Sequence, residues 1–326
     1  MAEFFRVTGV RVLTDRSVVV VDGSQMIRRF SPEGELAMAT GGKGSGPGEF
    51  QFLGRLEVLT GDSLLAIDPA QRRVTVVAPD ASVVRVVMTD VHDQLGFLEP
   101  AGRTSSGRML YRRWLPNRVR SGRWRDTSTF QLMDEDGSNP KLLGRYAGRE
   151  FWADDSEPGP VPSWHLHFSG ISSAAVTGDT VWVLVEGGPQ LEGWVDGQQV
   201  LVDSLPASVR TLTDAEVRDW LSGGESRVPV QQRTRWRERM EKLPVLTEVP
   251  PFDSLLAGSD GTLWARRQPY WLTEPQTWRR VRGSSGLPAM VELPERFRTY
   301  DIGFDYVAGV RLDDLGIENV EVLLFD

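Results

Sequence analysis

The chain reads as an all-β protein: a six-bladed β-propeller of four-stranded blades, with a short helical insertion between blades four and five. Three observations predict it. A strand–turn–strand unit recurs along the 326 residues. Each copy is followed by further short strands, set off by Asp-Gly or Pro-x-x-Gly turns that supply the positive φ tight hairpins need. Only one stretch, about 207–247, carries helical periodicity.

The repeat is clearest in two segments. Arg11-Val12-Leu13-Thr14-Asp15-Arg16-Ser17-Val18-Val19-Val20-Val21-Asp22 matches Glu57-Val58-Leu59-Thr60-Gly61-Asp62-Ser63-Leu64-Leu65-Ala66-Ile67-Asp68 nearly position for position. Weaker copies start the same way at Gly107-Arg108-Met109, Gly178-Asp179-Thr180, Asp260-Gly261-Thr262 and Phe304-Asp305-Tyr306. Aligning Ser17, Ser63, Arg108, Thr180, Thr262 and Tyr306 gives spacings of 46, 45, 72, 82 and 44. The short spacings suit a propeller blade of roughly 40–45 residues, and the long ones need insertions. Third strands follow at Met26–Phe30, Val74–Val77, Phe130–Met133 and Leu191–Trp194. The sixth unit runs out after about three strands, and Ala2–Phe5 is expected to supply its outer strand. One domain, 1–326, is expected.

The insertions are predicted at 113–128, rich in Arg and Trp, at 149–168, read as an exposed loop, and at 207–247. In the last, Thr213-Asp214-Ala215-Glu216 is a capping box. Val217, Trp220 and Leu221 then share a helix face, and Trp236, Met240 and Leu243 do so in a second helix. The pair reads as a cap packed on one face of the ring.

Composition excludes some chemistry. The chain holds no cysteine, which removes disulfides, thiolate metal sites and cysteine nucleophiles. A formal net charge of -8 disfavours nucleic acid as a partner. No apolar run approaches the roughly 20 residues that span a bilayer. The first residues do not form a signal peptide, so the start suits a cytoplasmic protein or a mature domain whose leader was replaced by Met.

Gly41-Gly42-Lys43-Gly44-Ser45-Gly46-Pro47-Gly48-Glu49-Phe50 resembles the inter-blade linker of NHL-repeat propellers, a Gly-rich turn ending in Gly-x-Phe. The run Leu255–Trp264, Trp278, the stretch Tyr300–Val310 and Asp313–Val320 resemble a bacterial group of six-bladed, TolB-like propellers. The resemblance implies the fold, and commonly an exported protein. It implies no catalytic residues. The chain departs from the NHL pattern at Ala81, where a turn Gly is expected, and at Gln71-Arg72-Arg73-Val74.

Candidate sites are few. His165 and His167 stand two apart, so on a strand both imidazoles face one way and could meet a divalent metal ion, with Asp154 completing the set. Arg113 and Trp114 lie in a run of arginines and aromatics suited to an anionic ligand. Tyr270 and Trp271, between Pro269 and Pro275, are placed to rim a pocket. Asp22 and Asp68 end two second strands; such residues can face a propeller's central channel, but blade-to-blade hydrogen bonding is expected of them. Two functions follow. One is a monomeric, noncatalytic binding or scaffold propeller that presents loops and the helical cap to a protein or small molecule. The other is a metal-dependent hydrolase or lyase with its site in the central funnel.

Overall fold

A computed structural model describes residues 4–89, 97–114, 121–153, 163–269, 275–283, 289–313 and 315–325. The strands run in chain order as consecutive antiparallel meanders. The first sheet holds β1 (Gly9–Val12), β2 (Val18–Val21), β3 (Met26–Phe30) and β4 (Leu36–Gly41). The second holds β5 (Arg55–Val58), β6 (Leu64–Asp68), β7 (Arg73–Val77) and β8 (Val83–Met88). The third, with five strands, holds β9 (Phe97–Arg103), β10 (Met109–Trp114), β11 (Gly122–Met133), β12 (Lys141–Ala153) and β13 (Ser163–His165). The fourth holds β14 (Ser173–Thr177), β15 (Thr180–Leu184), β16 (Gln190–Val195) and β17 (Gln198–Ser204). A two-stranded ribbon, β18 (Arg210–Thr211) with β19 (Glu248–Val249), brackets helices α1 (Asp214–Arg227) and α2 (Arg233–Lys242). Next come β20 (Phe252–Ala257), β21 (Leu263–Arg267), β22 (Thr277–Arg282) and β23 (Met290–Glu292). The last sheet has three strands among the described residues: β24 (Phe297–Ile302), β25 (Tyr306–Leu312) and β26 (Glu318–Leu324).

The core lies between sheets rather than inside any one of them. One apolar cluster joins Val19, Ile27 and Phe50 to Leu56 and Leu64, between the first and second sheets. Corresponding clusters join each later pair, and Val10, Val20 and Phe30 meet Tyr306, Ala308 and Val310 to join the last sheet to the first. Strands β6 and β7 are therefore buried at every residue, because a middle strand here is covered on both faces. First strands also pack side by side, β1 against β5 and β24, β9 against β5 and β14, and β20 against β14 and β24. The chain is a β-propeller.

Local chemistry explains the hairpins. Asp15, Asp80, Asp136 and Asp260 each accept the backbone N–H of the residue two positions on: Ser17, Ser82, Ser138 and Thr262. Such a bond fixes the turn that reverses the strand. Arg16 and Ala81 take positive φ in two of these turns, at 69° and 72°, and Asp62 does so in the β5–β6 turn, at 59°. The linker's Phe50 is fully buried in the first inter-sheet core, which stabilises by about 1.5–3 kcal/mol. Asp22 and Asp68 hydrogen-bond within their own units rather than from blade to blade. Asp22 accepts from the Phe5 N–H, and Asp68 from the N–H groups of Gln51 and Phe52, each holding the segment that enters its own sheet.

Three further expectations need correction. Of the Ala2–Phe5 stretch, residues 2–3 lie outside the described residues, and residues 4–5 do not extend the last sheet. The Phe5 N–H reaches Asp22, its carbonyl accepts from Gly23, and Phe4 packs edge-on to Phe30 at 5.7 Å, so this segment belongs to the first sheet. The 113–128 stretch is not all insertion, because β11 begins at Gly122 and runs 12 residues. Nor is 149–168 a loop throughout: β12 continues to Ala153, β13 follows, and Leu166 and Phe168 are buried under the helices. Trp124 on β11 stands between Arg123 and Arg125, which hid the strand it belongs to.

Candidate functional site

Hairpin bonds fix which end of the ring is which. The β1–β2 turn reaches the β5–β6 turn through Thr14 Oγ1 donating to Asp62 at 2.5 Å. The Ser106 N–H donates to Asp179 at 2.7 Å, linking the β9–β10 and β14–β15 turns. Arg16 forks onto Asp305 with two bonds of 2.7 Å. These first hairpins thus gather at one end. In an antiparallel meander, the ends of second strands and starts of third strands then lie at the other. Arg113, His165, the long extension of β11–β12 and the helical segment all attach at that second end.

There the third sheet carries an aromatic ladder. Trp124, Phe151 and His165 are direct cross-strand partners on β11, β12 and β13. Trp124 stacks on Phe151 at 4.3 Å and 8°, and Phe151 meets the His165 ring at 4.5 Å. The opposite face presents Trp152 and Trp164 to the helices, where Trp220, Met240 and Leu243 close a separate apolar cluster. The capping box at α1 is formed: the Glu216 N–H donates to Thr213 Oγ1, and Glu216 accepts from the Thr213 N–H. Trp220 receives His167 edge-on at 4.8 Å.

His165 ends the outermost strand β13 and His167 lies past it; both are exposed, and each leans on a different aromatic neighbour. Burial of the ring faces, then Arg149, pushes His165 below its ordinary value. Burial, then Arg239 and His165, does the same to His167. Both rings are therefore neutral near pH 7, the form that binds metal. Among the described residues no three His, Asp or Glu side chains gather to hold an ion. Asp154 lies outside the described residues.

Arg113 sits on β10 opposite Thr129 and Leu98, and Trp114 ends that strand opposite Ser128 and Phe97. The neighbouring Arg112 donates to Ser128 at 2.9 and 3.1 Å. Tyr270 and Trp271 lie outside the described residues, in the segment joining β21 to β22. Its flanking prolines, Pro269 and Pro275, both line a cavity of about 710 Å³. The cavity's other walls come from Pro206–Ser208, Glu216 and Asp219 of α1, Pro250–Phe252, and Arg279 of β22. Arg279 is held by a 3.0 Å bond to the Pro206 carbonyl. Arg113 is not part of this cavity.

A second cavity, about 580 Å³, opens at the hairpin end and is lined by all six first strands among the described residues. The sequence reading missed it. Arg11, Arg55, Glu57 and Arg103 line it, each at a polar position of a first strand. Burial would raise the Glu57 carboxyl, but Arg55, Arg11 and Arg103 outweigh it and hold it below the ordinary carboxylate value. The signal available was alternation: polar residues on one side of β1, β5 and β9.

No protein-family model matches the chain, and no curated protein matches it. Solved structures do. A member of the DUF4221 family from Bacteroides vulgatus ATCC 8482 superposes with TM-score 0.53 at 7% identity, over 98% of this chain and 93% of that one. A protein described as exported, from Bacteroides fragilis NCTC 9343, gives TM-score 0.50 at 13% identity, over 95% and 80%. A streptogramin B lyase gives TM-score 0.45 at 9% identity, over 99% and 95%. At such identities the likeness concerns the fold alone. No helix among the described residues is long and apolar enough to cross a membrane.

Proposed function

We propose that the chain is a single-domain, six-bladed propeller of the NHL-repeat-like type, whose insertion-bearing end binds a partner without catalysing a reaction on it. The helical cap joins blades four and five, and the last blade keeps three strands. The observation that carries the reading is the cavity of about 710 Å³ between the cap and the β20–β23 sheet. That volume falls in the range of small-molecule sites, roughly 300–1,000 Å³. Five prolines stiffen its walls, Pro206, Pro250, Pro251, Pro269 and Pro275, so little order is lost on binding. Tyr270 and Trp271, between two of those prolines, are the aromatic contacts we assign to the ligand, and Arg113 and Trp114 extend the same face toward a protein partner. We take the chain to act as a monomer in an extracytoplasmic setting.

A thermal-shift screen of small fragments tests this, run in parallel on the protein and on Ser208→Trp, which fills the cavity. Fragments should raise the melting temperature of the former and not of the latter. Equal shifts in both, or none in either, would overturn the cavity as the binding site. The metal-dependent hydrolase or lyase rests on His165, His167 and Asp154. Stoichiometric metal in the purified protein, lost with His165→Ala, would favour it instead.

A further inference from the structure

The hairpin-end cavity has two unlike walls. Arg11, Arg55 and Arg103 stand on β1, β5 and β9, whereas Ala101, Ala174 and Leu256 face it from β9, β14 and β20. The apolar side is built close. A Cβ at Gly102 would stand 2.7 Å from Val176 Cγ2, so β9 and β14 approach only because glycine is there.

Four arginines, Arg11, Arg16, Arg55 and Arg103, and five acids, Glu57, Asp62, Asp260, Asp301 and Asp305, line the cavity, but on the first strands themselves Arg11, Arg55 and Arg103 face only Glu57 and Asp301. Arg55 binds Glu57 directly. Arg103 reaches Glu135 at 3.2 Å, but Glu135 also takes Arg85, at 2.5 Å. The Arg103 Nε is buried with no hydrogen-bond partner among the described residues. Arg11 donates to the Val10 and Tyr300 carbonyls, at 2.9 and 2.7 Å, and pairs directly with no carboxylate among the described residues. Of the acids on the turns, only Asp305 pairs with a cation among the described residues. Asp62 accepts from Thr14, Asp260 from Thr262, and Asp305 from Arg16. Asp301 accepts from the Val12 N–H and the Tyr306 hydroxyl.

We propose that this cavity binds a small organic carboxylate with an apolar body, its head on Arg11 and Arg103 and its chain on Ala101, Ala174 and Leu256. Guanidinium groups match carboxylate geometry, and on the first strands three of them face two acids, which favours an anion at that level of the cavity. The aliphatic wall distinguishes such a ligand from a bare inorganic anion.

Titration calorimetry at fixed ionic strength, with sodium hexanoate as the probe, tests it. One saturable site is expected. Acetate should bind at least about tenfold more weakly, because it lacks the methylenes that the wall covers. Hexanol should not bind. Arg11→Met should weaken hexanoate about tenfold or more, and Arg103→Met replaces it if the ring fails to close without Arg11. Ala174→Leu should weaken hexanoate and leave acetate unchanged. Ser208→Trp should leave hexanoate unchanged, which separates this site from the cap cavity. The proposal is overturned by no binding at tens of millimolar, by hexanol or acetate binding as well as hexanoate, or by indifference to both the arginine and the Ala174 variants.

Discussion

Asp301 on β24 accepts the backbone N–H of Val12 on β1 at 2.9 Å, and through that bond the last sheet grips the first. The Tyr306 hydroxyl donates to the same carboxyl at 3.1 Å. Nearby, the Tyr300 hydroxyl donates to the Val7 carbonyl at 2.6 Å, and the Val7 N–H donates to Glu318 at 2.6 Å. Many rings close by sharing a strand between first and last units. Here, among the described residues, side chains and an apolar cluster make the closure.

Asp301→Ala should therefore cost about 1–3 kcal/mol, since it strands a buried N–H and a hydroxyl. Asp301→Asn should cost less, because its amide oxygen still accepts. Burial holds the Asp301 carboxyl above its ordinary 3.8. For an acid with a raised folded pKa, the folded state binds the proton more tightly, so its contribution is greatest below 3.8 and is lost as pH rises through the folded value. Denaturant midpoints at acid and neutral pH check this. The deficit of Asp301→Asn relative to the parent should shrink as pH rises, and a growing deficit would sink the assignment.

Ala81 holds φ at 72°, a left-handed conformation that costs an L residue roughly 1–2 kcal/mol. Ala81→Gly relieves that strain but gives the unfolded chain more freedom, about 0.4–1 kcal/mol in the opposite direction. A net gain of up to about 1 kcal/mol is expected, seen as a rise of a few degrees at most in the melting temperature. An unchanged or lower melt would show that the turn relaxes without the glycine.

How far the sequence could be read follows from what each signal encodes. The hairpins were legible because Asp-x-Ser and Asp-Gly-Thr turns carry their own geometry, and Ser17, Ser63, Arg108, Thr180, Thr262 and Tyr306 all fall at or next to the start of a second strand. The capping box was legible for the same reason. The cavity walled by Arg11, Arg55 and Arg103 was not. Alternation says that one side of a strand is polar, but only closure of the ring turns that side from solvent-facing to enclosed. The ladder of Trp124, Phe151 and His165 was hidden likewise, because its partners sit on three strands and none is near another in sequence.

His165 and His167 give the molecule a pH response on the acid side of neutrality. Both are held below the ordinary 6.5, first by burial and then by the arginines Arg149 and Arg239. Well above 6.5 the two are neutral in both folded and unfolded chains and contribute no slope. As pH falls below that value the unfolded chain takes up protons first, so stability declines until the folded values are passed. Replacing both residues with Gln should flatten the unfolding midpoint between pH 5 and the ordinary His value, roughly the window in which histidine titrates. A slope that persists in the double variant would assign it to other groups.

Trp220 decides whether the helical cap is a fixed wall of the larger cavity or a loose appendage. Its side chain is 3% exposed and packs on Phe168 at 5.4 Å and on His167 at 4.8 Å, so it is the main tie between α1 and the segment following β13. Removing a buried Trp side chain costs about 3–5 kcal/mol where the surroundings cannot collapse. The apolar cluster around it is separate from the six clusters between sheets, so that cost should fall on the cap and not on the ring. In Trp220→Ala, amide hydrogen exchange should accelerate across 213–243 while the middle strands β6 and β7 keep their protection. Fragments that bind the cavity should lose affinity in step, because Glu216 and Asp219 of α1 form part of its wall. Trp220→Phe, which keeps an aromatic ring on Phe168, should restore most of both. If exchange in the cap is unchanged in Trp220→Ala, the helices are held by the β18–β19 ribbon instead, and the cavity does not depend on the apolar contact beneath them.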